Sequence, residues 1–222
     1  MRTLIVAVAI AALPAAASAG PLTISLKGMG PSEYVLVGGK RLIGTNAGEI
    51  KWGQSGISGL DAEFYSYCID LLSNAETTQS VFAELMTGSA VGWLYNQFSS
   101  AAHLDSAMAA GLQLAIWNVL YDNDYSVDLQ KGSNNSFYLI LGSDAARKYA
   151  NSFLKDLSYQ LTLGALGGSV LRFSTYDLPG QDQITRGAAP VPEPATLLLL
   201  GSGVAALAAR RKFRKNAHQK MV

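Results

Sequence analysis

Cysteine is all but missing from this chain: Cys68 stands alone among 222 residues. A single cysteine excludes an internal disulfide framework, and with only two histidines, His103 and His218, a Cys/His zinc cluster is excluded as well. Basic charge is also scarce where it would matter. Residues 20–190 hold ten Lys and Arg against fifteen Asp and Glu, a balance of −5. Without a run of cations to neutralise phosphates, nucleic acid is excluded as a partner. No internal repeat is present, and nothing in the sequence calls for a cofactor.

The two ends are organised for export. Residues 1–19 begin with Arg2, continue as an apolar run from Leu4 to Leu13, and finish on Ala17-Ser18-Ala19. A cationic start, a short apolar core and small residues before a cut make a secretory signal peptide. The run is too short for a membrane span, and Pro14 interrupts it. At the other end, Val191-Pro192-Glu193-Pro194-Ala195-Thr196 precedes thirteen uncharged residues, 197–209, and then Arg210-Arg211-Lys212-Phe213-Arg214-Lys215. A hydrocarbon core about 30 Å thick asks for about 20 helical residues, so 197–209 spans it only with its neighbours recruited. The basic flank 210–215 and the tail 216–222 stay cytoplasmic by the positive-inside rule, which holds the rest of the chain outside.

This order of tripeptide, short transmembrane helix and arginine cluster over residues 191–215 resembles the PEP-CTERM sorting signal of Gram-negative bacteria. The resemblance implies an exosortase as partner, recognising Pro192, Glu193 and Pro194 and removing the helix. The protein would then pass from transient membrane anchorage to the cell surface or the extracellular matrix. A plain C-terminal anchor is the alternative reading.

Between the ends lies enough chain for one domain with a real core, placed at 20–186, with 187–190 as a linker. Its first part alternates short β-branched runs with glycine: 22–26, 34–37, 49–52 and 63–69 read as antiparallel strands, with Gly28, Gly30, Gly38, Gly39, Gly53 and Gly56 as turns. In the last of these runs Phe64, Ser66 and Cys68 share one face and Tyr65, Tyr67 and Ile69 the other. From Thr77 to Asp122 the spacing reads as helical. Val81, Phe82, Leu85 and Met86 suggest one helix, Trp93, Leu94 and Phe98 a second, and Asp105 to Tyr121 a third. Met108, Leu112, Ile116, Val119 and Leu120 form the apolar stripe expected of that third helix, with Gln113 and Trp117 four apart beside it. A helix from Ser143 to Tyr159 and returning strands at 170–174 and 182–185 complete an α+β class.

The chemistry concentrates in two segments, Tyr67-Cys68-Ile69-Asp70 and Leu112-Gln113-Leu114-Ala115-Ile116-Trp117. A glutamine carboxamide is an acyl group that a thiolate can attack, expelling ammonia and leaving an internal thioester. Both segments resemble the motifs of the thioester domains of bacterial surface adhesins. Tyr67, Cys68, Ile69 and Asp70 match the cysteine motif. Gln113, Ala115, Ile116 and Trp117 match the Thr-Gln-x-Ala glutamine motif, with Leu112 where threonine is usual. The resemblance implies an antiparallel β-sandwich or barrel with a helical insertion. It also implies covalent acylation of a nucleophile on an extracellular partner, a protein amine or a polysaccharide hydroxyl, in adhesion or matrix attachment. Such a protein reacts once, so it is not expected to be an enzyme. Trp117 and Tyr67 are the candidates to shelter the bond, and Asp70 either orients a backbone group or accepts a proton.

Other readings stay open at this stage. Cys68 and Gln113 could be ordinary core residues of a non-reactive structural component of an extracellular matrix or biofilm, Cys68 could pair with another chain, or it could serve a hydrolase with His103. Asp122-Asn123-Asp124-Tyr125-Ser126-Val127-Asp128 places oxygens at alternating positions as a calcium loop does. Val127 replaces the needed glycine, Ser133 is not acidic, and no metal is expected.

Overall fold

A computed structural model describes residues 22–57, 59–129, 136–164, 166–175 and 180–187. The expected signal peptide, most of the linker, the sorting signal and the tail lie outside these residues. Among the described residues no helix is long and apolar enough to cross a membrane.

Seven strands and three helices follow in the order β1 (Leu22–Gly39), β2 (Ile43–Gln54), β3 (Glu63–Cys68), β4 (Thr78–Thr87), α1 (Ala90–Ala102), α2 (Ser106–Tyr121), β5 (Phe137–Leu141), α3 (Asp144–Thr162), β6 (Ser169–Thr175) and β7 (Gln183–Arg186). Every strand pairing is antiparallel. β1 pairs with β2 on one side and, through Leu22–Ser25, with β4 on the other, so β1, β2, β3, β7, β6 and β4 close into a ring. This is the barrel form of the expected α+β architecture, and closure leaves few bare strand edges. β5 adds to the far half of β1. All three helices lie in sequence between β4 and β6, which are neighbours in the sheet, so they form one insertion.

Three expectations change. The segment around Val81, Phe82, Leu85 and Met86 is strand β4, not a helix, with Val81 buried and Phe82 and Leu85 exposed. Apolar residues at one- and three-residue offsets suit either period, and the seven-residue register with β6 decides for strand. The runs 22–26 and 34–37 belong to one strand. Gly28, at φ 141°, sits at a register shift in its pairing with β2, so a bulge replaces the expected turn. Gly53 likewise lies within β2, opposite Ser25. The short run forming β5 carried no expectation at all.

Two helices start where the sequence reading places them, at Asp105 and Ser143, and α1 starts at Ser89, which that reading did not single out. Ser89, Asp105 and Ser143 accept from the backbone N–H groups of Gly92, Met108 and Ala146, satisfying donors that a helix start leaves free. α2 differs from the expected stripe: Ala109 through Asn118 are all buried, while Leu120 at its end is 44% exposed. The helix is covered on every side because α1 and α3 flank it and β1 and β2 lie beneath it. Its approach to α3 is close at Gly111, where a Cβ would stand 2.6 Å from Tyr149 Cβ and 2.9 Å from the Ala146 carbonyl oxygen.

Candidate functional site

Cys68 ends β3 and Gln113 lies in the first half of α2, and the fold brings them together in the interior. Gln113 is 1% exposed and Cys68 3%. The Cys68 N–H donates to Gln113 Oε1 at 3.0 Å, and Gln113 Nε2 donates to the Cys68 carbonyl at 2.7 Å. The carboxamide is therefore clamped against the peptide of the residue whose sulfur would attack it. The N–H on Oε1 polarises the carbonyl at the atom where negative charge would develop, which is what an oxyanion donor does.

The thiol itself donates to the Asp70 carbonyl at 2.9 Å. Burial pushes its pKa well up, opposed by the Asp70 backbone contact and by Trp117, while the charges of Asp70 and Asp182 add to the rise. Before any reaction, the Cys68 thiol is thereby held in its protonated form at neutral pH. Trp117 Nε1 is buried and has no hydrogen-bond partner in ordinary geometry. It nevertheless lies near enough to the sulfur to favour the thiolate.

The remaining expected residues fall into place around this pair. Asp70 Oδ1 accepts from the Leu72 N–H, fixing the turn after β3. Ala115 is fully buried in α2. Tyr67 does not face the sulfur: it lies on the opposite side of β3, with its hydroxyl on Glu49 Oε1 at 3.4 Å and its ring edge-on to Tyr95. Alternation along a strand dictates this, so of the two expected covers only Trp117 stands on the Cys68 side.

A buried polar chain supports the site and was not foreseen. Trp52 Nε1 donates to Ser66 Oγ, which donates to Gln183 Oε1, both at 2.8 Å. Gln183 Nε2 donates to Gln181 Oε1 at 2.7 Å, and Gln181 Nε2 reaches the Ser73 carbonyl at 2.7 Å and the Asp70 carbonyl at 3.2 Å. The carbonyl that receives the thiol is thus tied back into the barrel. Tyr121, one turn beyond Trp117, holds the next peptide by accepting from the Leu71 N–H at 2.9 Å. The available sequence signal was polar residues, Ser66 and Gln183, at inward positions of strands.

On the other face of β3 a cleft of about 410 Å³ contains a second unforeseen pair. His103 Nδ1 lies 2.7 Å from Glu49 Oε2, and the His103 ring packs edge-on to Tyr65. Glu49 is 3% exposed, and desolvation raises its carboxyl pKa above 4.5 against the opposing pull of His103 and Tyr67. Between the unfolded and the raised folded pKa the native state binds a proton that the unfolded chain lacks, so this group's stabilising contribution is full below about pH 4.5 and is lost as pH rises through the folded value. Glu49→Gln is therefore expected to flatten the fall in stability from acid to neutral pH, measured by urea unfolding across that range. An unchanged slope would remove Glu49 as its source.

The carboxylates of the calcium-like segment are turned to protein donors. Asp124 Oδ1 accepts from Asn118 Nδ2, Asp122 Oδ2 from the Phe137 N–H, and Asp128 from Arg147 and Asn151. Position 133 lies outside the described residues.

The fold and site together define a closed antiparallel barrel with a helical insertion and a buried, clamped cysteine and glutamine. Residues 190–212 match the PEP-CTERM protein-sorting motif family, which implies export, exosortase processing and a final place at the surface or outside the cell. Among solved structures, the N-terminal thioester domain of fibronectin-binding protein SfbI from Streptococcus pyogenes is similar at 16% identity and a TM-score of 0.42, over 65% of this chain and 87% of that chain. No curated protein matches the chain.

Proposed function

We propose that this is an exported surface or matrix protein in which Cys68 and Gln113 form an internal thioester that acylates a nucleophile on an extracellular partner, once and without turnover, in adhesion or matrix attachment. The reading rests above all on the two-way clamp between the Gln113 carboxamide and the Cys68 peptide, with the thiol on the same residue. In forming the bond, Sγ attacks the Gln113 side-chain carbon, the C–N bond breaks, the thiol proton goes to nitrogen, and ammonia leaves. Burial of both groups shelters the product from water. The sorting motif adds a transient anchorage by the C-terminal helix in a Gram-negative envelope, ended by exosortase cleavage. Intact mass, argued in the Discussion, is the test.

One observation favours a second reading, a non-reactive structural component of the matrix. The thiol and both ends of the carboxamide already have hydrogen-bond partners, so the pair is satisfied without any reaction.

Trp117 separates the two. Its unpaired N–H is a cost in a resting core and an asset if charge gathers on sulfur. Trp117→Phe keeps most of the ring, so unfolding free energy is expected to change by less than about 1.5 kcal/mol. In a time course of intact mass the same variant should lose ammonia more slowly than the parent. Ammonia loss at the parental rate would dismiss Trp117 as a donor.

A further inference from the structure

A pocket of about 280 Å³, lined by residues next to those that hold the pair though not by Cys68 or Gln113 themselves, differs in character from the cleft on the other face of β3. Its walls include Val37, Ile43, Leu71, Tyr121 and Phe137, with Lys40 and Arg41 also lining it. These walls reach the pair through one intervening residue each. Tyr121 holds the Leu71 N–H, the neighbouring Asp70 carbonyl receives the thiol, and the Phe137 ring stands 6.3 Å from that of Trp117. The larger cleft lies on the Tyr65 face and is lined by Glu49, Asp61 and Glu63, so it offers neither the approach nor the charge.

Given the thioester reading, on which this inference rests, the geometry points to this pocket as the entry for the acyl acceptor, and to a hydroxyl of an acidic polysaccharide as that acceptor. Lys40 and Arg41 are exposed and in no ion pair among the described residues. The carboxylates closest in the chain to the pocket walls, Asp70 and Asp122, are bonded to the backbone N–H groups of Leu72 and Phe137 and do not line it. A lysine side chain arrives as an ammonium and must shed a proton before attacking, and two cations at the entry oppose it. A uronic-acid chain brings neutral hydroxyls on an anionic backbone that the same cations attract. Charges separated by more than about 8 Å are largely screened at physiological salt, so these two govern the approach although the exported part is acidic overall. The half-buried Tyr121 supplies apolar surface for the C–H face of a sugar ring. The hydroxyl oxygen attacks the thioester carbonyl carbon, the C–S bond breaks, and the hydroxyl proton ends on sulfur. The products are an ester to Gln113 and the free Cys68 thiol.

The test incubates the mature protein with oligogalacturonate, with neutral dextran oligosaccharide of equal length and with N-acetyl-lysine amide, following adduct mass and released thiol. Adduct formation with oligogalacturonate is expected to be about tenfold faster than with dextran at low salt, the lower end of the gain that local charge steering gives. It should fall with salt, and Lys40→Glu with Arg41→Glu should abolish the preference. Equal rates for the two sugars, or a faster lysine adduct, would overturn the proposal while leaving the thioester intact. Absence of the ammonia deficit would sink the thioester reading instead. The pocket is then judged by titrating oligogalacturonate into Cys68→Ala: binding lost in the double charge reversal supports it, and no binding refutes it.

Discussion

Freshly purified mature protein is expected to weigh less than its amino-acid sequence by the mass of one ammonia. The deficit follows from the balance of the proposed step, since nothing but ammonia leaves when sulfur replaces nitrogen on the Gln113 carbonyl. Cys68→Ala and Gln113→Ala should each restore full mass, because either change removes one end of the bond. Methylamine should then convert the parent to a methylamide with a titratable thiol, and should leave both variants untouched. The state of the thiol sets the pH dependence. Burial holds Cys68 protonated well beyond its ordinary range, so with thiolate as the attacking form the formation rate should climb by about tenfold per pH unit from neutral to mildly alkaline pH without levelling off, unlike that of an exposed thiol, whose thiolate fraction saturates above about 8.5. Full mass with a thiol that titrates only after unfolding would establish the structural reading in place of the reactive one.

The second large effect is expected from a residue that takes no part in the chemistry. Gly111→Ala improves intrinsic helix propensity by about 1 kcal/mol, yet the new Cβ would meet the backbone of α3 at Ala146 and Ala150. Gly111→Val adds two methyl groups at the same crossing. We expect it to destabilise the protein by about 1–3 kcal/mol or more, the range for overpacking a close contact, as read from the urea midpoint. Because Gln113 lies two residues beyond the crossing, displacement of α2 should also loosen the carboxamide clamp, whose two bonds are buried. The variant should therefore show a smaller ammonia deficit even where it remains folded. Stability equal to or above the parent's would mean that α2 and α3 can part at this point without cost.

How much of this was legible in the chain depends on the range of the signal. Caps are local, and Asp105 and Ser143 announced their helices because a side chain two or three residues from an N–H decides the matter alone. Cys68 and Gln113 stood out as a candidate pair through residue types, but their geometry did not: nothing in either segment says that the Gln113 carboxamide meets the Cys68 peptide rather than another group. Long-range pairing was hidden. β4 has a pattern open to both periods, and its partner β6 lies beyond three helices. The bulge at Gly28 looked like a turn because glycine serves both, and only the length of β2 opposite tells them apart. Glu49 and His103 are 54 residues apart, and each alone reads as an ordinary polar residue.

The place of β7 in the barrel has a bearing on when the pair can assemble. Cys68 is opposite Gln183, and the Ile69 N–H donates to the Asp182 carbonyl, so the end of β3 takes its strand partner from the last strand of the ring, opposite the Gln113 clamp. A polypeptide threaded outward from its amino terminus delivers Cys68 early, Gln113 later, and Gln181 and Gln183 just before the sorting motif at 190–212. On the proposed thioester, translocation would act as a clock: the cradle around sulfur and carboxamide is complete only once β7 has passed through, and a covalent hook armed so late would have little opportunity to catch the machinery that carries it.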